Sequence, residues 1–90
     1  MKRAIITVLG KDTVGIIARV CTYLADHQVN ILDISQTIVQ DYFNMMMIVD
    51  MSKAQTSFFE MTESLEALGQ EIGVSVKCQR AEIFEMMHRL

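Results

Sequence analysis

The segment Ala4-Ile5-Ile6-Thr7-Val8-Leu9-Gly10-Lys11-Asp12-Thr13-Val14-Gly15 decides how the chain folds. Residues 3–9 are an apolar, β-branched run stopped by a glycine, the length and pattern of a buried strand. The chemistry then changes. Asp12 or Thr13 can accept hydrogen bonds from the free amides that open a helix. Beyond them Ile17, Val20, Cys21 and Leu24 recur at three- and four-residue intervals, which predicts a helix over 14–28 that buries this stripe. A strand, a glycine-bounded turn and an amphipathic helix make the first half of a βαβ unit.

Working outward, residues 30–40 are rich in Ile, Thr and Val and read as a second strand, with Leu32, Ile34 and Ile38 on one face and Asp33, Ser35 and Thr37 on the other. Asp41-Tyr42 turns the chain into a third strand over 43–51, where Phe43, Met45, Met47, Val49 and Met51 share a face. Met46 and Ile48 fall on the opposite face, where a solvated sheet has no need of them. Ser57 and Glu60 have the spacing of a capping box, and the apolar period behind them gives a helix over 55–72 that stops at Gly73. Val74, Val76 and Cys78 alternate with polar residues as a half-buried strand. Residues 81–90 carry Ile83, Phe84, Met87 and Leu90 on one side of a short C-terminal helix. The order β-α-β-β-α-β, with right-handed crossovers, predicts an α+β ferredoxin-like sandwich: a four-stranded antiparallel sheet with two helices on one face.

Ninety residues predict one domain over 1–90, with its core in 3–80 and the added helix at 81–90. The 51% hydrophobic fraction argues against disorder. Cys21 and Cys78, far apart and set among apolar residues, read as buried thiols of a reducing compartment. Met1-Lys2-Arg3 leads straight into the first strand with no cleavage site, and no run is long enough to span a membrane, so the expected location is cytoplasmic. A net charge of −3 offers no footprint for nucleic acid. His27 and His88 lack a Cys, Asp or Glu at metal-ligand spacing. There is no nucleophile elbow, phosphate-binding glycine loop or dinucleotide fingerprint, so neither an enzyme nor a cofactor is expected. Acylphosphatases share the predicted fold but need an arginine near the first loop, where this chain has Lys11. RNA-recognition motifs need aromatics on the first and third strands, where only Phe43 occurs.

Gly10-Lys11-Asp12-Thr13-Val14-Gly15-Ile16, followed one helix later by Val29-Asn30-Ile31, resembles the two signature segments of ACT domains over about residues 3–80. The tail Gln79 to Leu90 resembles the stand-alone UPF0237 subgroup, itself similar to the N-terminal part of glycine-cleavage regulators. Val14 departs from the family pattern, which often has proline there. The resemblance implies a ferredoxin-like module that dimerises and holds a small ligand, usually an amino acid, where two domains meet. It places ligand contacts at Gly10, Asp12, Thr13, Val14, Gly15, Asn30 and Ile31. In that picture the amides opening the first helix take a carboxylate, Asp12 answers an ammonium group, and Asn30 bridges to the ligand with its donor and acceptor.

Each residue also has a plainer reading. Asp12 can serve as a helix cap, Asn30 as a turn residue, and Gly10 and Gly15 as turn and packing glycines. The methionines suit either a core or an adaptable contact surface. Two functions follow: a regulatory dimer that binds an amino acid or related metabolite and engages a protein target, or a structural dimer that docks on another protein without a ligand.

Overall fold

The computed structural model describes residues 2–11 and 15–82. Its elements are β1 (Arg3–Lys11), α1 (Ile16–Asp26), β2 (Asn30–Val39), β3 (Tyr42–Asp50), α2 (Phe58–Ile72) and β4 (Ser75–Arg80). The strands form one antiparallel sheet in the order β2-β3-β1-β4. Both helices cover one face, the ferredoxin-like arrangement expected from the sequence. Of the expected C-terminal helix, Ala81 and Glu82 are helical and the remainder lies outside the described residues.

The period-two pattern of β1 and β3 creates the core. Ala4, Ile6 and Val8 alternate inward opposite Phe43, Met45, Met47 and Val49, all buried. Val20 and Leu24 of α1 and Met61 and Leu65 of α2 close over them with no exposed surface. Strict alternation thus divides the methionine run: Met45 and Met47 are core, and Met46 lies on the open face. Ile5 also points to that face yet is only 6% exposed. Cys21 and Cys78 are both free thiols, half-buried where full burial was expected.

Each end of α2 is fixed by its own chemistry. Ser57 Oγ accepts a hydrogen bond from the Glu60 amide at 3.1 Å, satisfying one of the free donors of the first turn. Gly73 ends the helix in the left-handed region at φ 92°, and its N–H donates to the Gly69 carbonyl. The start of α1 differs from expectation: its N-cap is Gly15 at φ 88°, and the expected caps Asp12 and Thr13 lie outside the described residues. The turn after β2 is Gln40-Asp41 and not Asp41-Tyr42, because Tyr42 is already paired with Val39 and Lys11.

Two corrections bear on function. Gly10 lies within β1 and not in a turn. A Cβ there would stand 2.6 Å from Val74 Cγ1, so the glycine allows β1 and the start of β4 to pack together. The second correction concerns β2. A bulge between Ile31 and Asp33 makes Leu32 an extra residue, which reverses the alternation. Ile31, Ile34 and Ile38 therefore pair with Val49, Met47 and Phe43 on the helix side, and Leu32 does not share their phase. Residues 32–39 of this edge strand are all exposed, because α1 covers only the beginning of β2.

Candidate functional site

The topology separates the two segments that the sequence joins into one site. β1 and β2 are both antiparallel to β3, so they run parallel, and the chain leaves β1 at the end opposite to the one where it enters β2. Gly10 is level with Phe43 and Ile38, whereas Asn30 is level with Asp50 and Arg3. The two rows are seven residue steps apart along β1, about 23 Å at 3.3 Å per step. Gly15 opens α1 at the first end; Asn30 and Ile31 open β2 at the second. Asp12, Thr13 and Val14 lie outside the described residues. One copy of the chain therefore does not bring the glycine segment and Asn30 together.

Asn30 and Ile31 do line a cavity of about 540 Å³ beside the end of α1. Cys21, Ala25 and Gln28 contribute from the helix side, and Asp50 and Lys53 from the end of β3. Gln28, at φ 59°, turns the chain sharply out of α1, after which the Val29 amide donates to Leu24 O at 2.9 Å. That reversal delivers Asn30 to the cavity rim. Asp50 accepts hydrogen bonds from the Ser52 amide at 2.9 Å and the Ser52 hydroxyl at 2.6 Å. These bonds hold its carboxyl below the usual carboxylate range. Lys53 supplies an ammonium group, Asp50 a carboxylate, and Asn30 and Gln28 amides with both donors and acceptors. That set matches the two charged ends of an amino acid. Asp50, Lys53 and Gln28 were not among the residues expected from the sequence. Their signal was the hairpin register, which pairs Asn30 with Asp50 once the turn is placed correctly.

Two other reactive groups, His27 and Cys78, have structural partners. His27 Nδ1 lies 2.9 Å from the Tyr23 carbonyl and so donates to it, while the two rings stack with centroids 4.1 Å apart. Among the described residues no group of three or more His, Cys, Asp or Glu side chains can hold a metal ion. Burial pushes the Cys78 thiol up to about 11, against the opposing hydrogen bond to Thr62. Cys78 should therefore be alkylated by iodoacetamide at pH 8 roughly a hundredfold more slowly than an ordinary exposed thiol, since the thiolate is the reactive form. Its labelling should rise as the pH approaches 11. Site-resolved mass spectrometry measures both; Cys78 labelling at pH 8 as fast as in the denatured chain would contradict the burial.

No helix among the described residues is long and apolar enough to cross a membrane. The ACT domain family profile matches residues 2–79. A UPF0237 protein of Bifidobacterium longum is 64% identical over 90 residues, covering 100% of both chains. The solved structure of an ACT domain protein from Streptococcus pneumoniae is 44% identical and superposes with a TM-score of 0.80 over 93% of this chain and 94% of that one. A structure named as a glycine cleavage system transcriptional repressor shares the fold at 23% identity and a TM-score of 0.75, over 89% of this chain and 46% of the other.

Proposed function

This chain belongs to the ACT domain family, and from that premise we propose that it is a single-domain regulatory module that binds an amino acid or related small metabolite at a junction between two copies. The observation that carries the proposal is the placement of Gly10 and Gly15 at one end of the sheet and Asn30 and Ile31 at the other, with the exposed edge strand β2 running between the two ends. If two β2 edges pair antiparallel about a two-fold axis, the Val39 end of one strand lies beside the Asn30 end of the second. The glycine segment of each copy then approaches the Asn30 cavity of the other. Ile38 and Val39, 60% and 62% exposed, are the apolar surface such a contact would cover. A closed two-fold pair is the commonest way to cover it.

The chemistry is that of binding. Asp50 and Lys53 answer the ammonium and carboxylate of a zwitterion, and Asn30 reads its polar end. Gly10, Asp12, Thr13, Val14 and Gly15 supply main chain from the second copy. We place the module in the cytoplasm as a non-catalytic dimer without a cofactor, acting on a protein target and not on nucleic acid or membrane.

A thermal-shift screen against the twenty amino acids and related metabolites tests this reading. A ligand at ten times its dissociation constant should stabilise the protein by about 1.4 kcal/mol. Asn30→Ala should remove that gain and leave the unliganded melting temperature nearly unchanged, because the strand continues on backbone hydrogen bonds. Light scattering at micromolar concentration should show a species heavier than the 10.2 kDa chain. A metabolite screen without any shift would leave the ligand-free docking dimer as the better account.

A further inference from the structure

A second cavity, of about 610 Å³, lies under the start of α2 and shares no residue with the Asn30 cavity. We propose that it is a separate binding site for a small phosphate-bearing metabolite. Its walls bring Arg80 to Lys2 and Arg3, which are remote from it in sequence. The register does this: Ala4 pairs with Arg80, which sets the end of β4 beside the beginning of β1. Eight residues of the acidic chain are Lys or Arg, and three of them border this one hollow. Glu82 is the one carboxylate among the lining residues, so cations outnumber anions there. Among the described residues, the ion pair that occurs is Arg19–Glu71, and none involves these three cations.

The cavity is prepared for an oxyanion in two further respects. The Arg80 guanidinium stands 4.9 Å from the centroid of the Phe58 ring. A cation–π contact of this kind holds the guanidinium in place while leaving its N–H donors free for a ligand. Ser57 Oγ accepts from the Glu60 amide, so its own proton is available to donate into the cavity. Ser52 is not available in this way, because its hydroxyl donates to Asp50. The cations and not the helix end carry the recognition, since Ser57 already satisfies a first-turn amide. A guanidinium fork with an ammonium beside it suits a doubly charged tetrahedral oxyanion. Met51, Ala54 and the Phe58 ring provide an apolar wall for the organic part of a phosphate ester. The volume lies within the range of small-molecule sites.

The test is an amide-resolved NMR titration of the full chain with pyrophosphate at constant ionic strength, with citrate in a parallel arm. Saturable shifts are expected at Thr56, Ser57 and Arg80. The double variant Lys2→Gln/Arg80→Gln should bind pyrophosphate about tenfold more weakly or worse, as expected on losing two charge-assisted partners, while its spectrum stays that of the folded parent. Any amino-acid response of the Asn30 cavity should survive in that variant, which separates this site from the one proposed above. Absence of saturable shifts at these amides, or affinity in the double variant within twofold of the parent, overturns the site. Citrate binding as tightly as pyrophosphate overturns its assignment to phosphate.

Discussion

Leu65→Ala is expected to lower the free energy of unfolding by about 2–5 kcal/mol. Leu65 lies on the inner face of α2 with no exposed surface, one helical turn beyond the equally buried Met61. Removing its isobutyl group loses the transfer term and leaves a cavity. How far the cavity closes sets the value within that range. Met45, Met47 and Met61 belong to the same core and, being unbranched, can follow a retreating neighbour better than Ile or Val. The lower half of the range is therefore the expectation. Even so, this is a large share of the roughly 5–15 kcal/mol that stabilises an ordinary domain, and the melting temperature should fall by about 4–8 °C per kcal/mol. Urea denaturation with an unchanged slope measures it. A loss below 1 kcal/mol would mean that α2 is not packed as described.

Gly10→Ala is expected to destabilise the ligand-free protein by about 1–3 kcal/mol, the usual penalty for forcing extra atoms into a packed site. The new Cβ would meet Val74 Cγ1 at 2.6 Å, Val74 Cβ at 2.9 Å and Val74 Cα at 3.2 Å. The side chain can rotate away from the first of these contacts, but the last is backbone and moves only with β4. Val74→Ala in the same chain removes the Cγ atoms and should recover part of the loss. A double-mutant cycle should therefore give a coupling on the order of 0.5–3 kcal/mol. The cycle also separates two roles for Gly10. If the residue served only to admit a ligand, the single variant would keep its stability without ligand and Val74→Ala would have no effect on it. Additive single effects would refute the packing role.

The elements were legible because each had a local cause. The stripe Val20-Leu24 identifies α1, the Ser57–Glu60 spacing marks the start of α2, and the alternation of Val74, Val76 and Cys78 identifies β4. The bulge at Leu32 was not legible. Residues 30–39 are β-prone throughout, and both phases of alternation put isoleucine on one face, so only the pairing with β3 resolves the choice. Gly10 resembled a turn glycine because its reason is Val74, sixty-four residues away in sequence and adjacent in space. The separation of Gly10 from Asn30 could have been anticipated: a βαβ crossover always returns the chain to the end from which the first strand began. The meeting of Lys2 with Arg80 could not, since it depends on the register of β1 with β4.

The two outer strands of the sheet differ in a way that limits how large an assembly can grow. β2 offers a long, exposed border that carries Ile34, Ile38 and Val39 beside a single charge at Asp33; β4 is six residues long and carries Lys77 and Arg80. Charged, short borders resist the addition of another strand. A chain with two adhesive borders would join head to tail and propagate as a fibre, whereas a chain with one adhesive border is consumed by its first encounter. The bulge at Leu32 shortens even that border, leaving Asp33–Val39 as its unbroken part. If two copies pair through β2, as proposed above, that association is self-terminating and does not propagate into filaments.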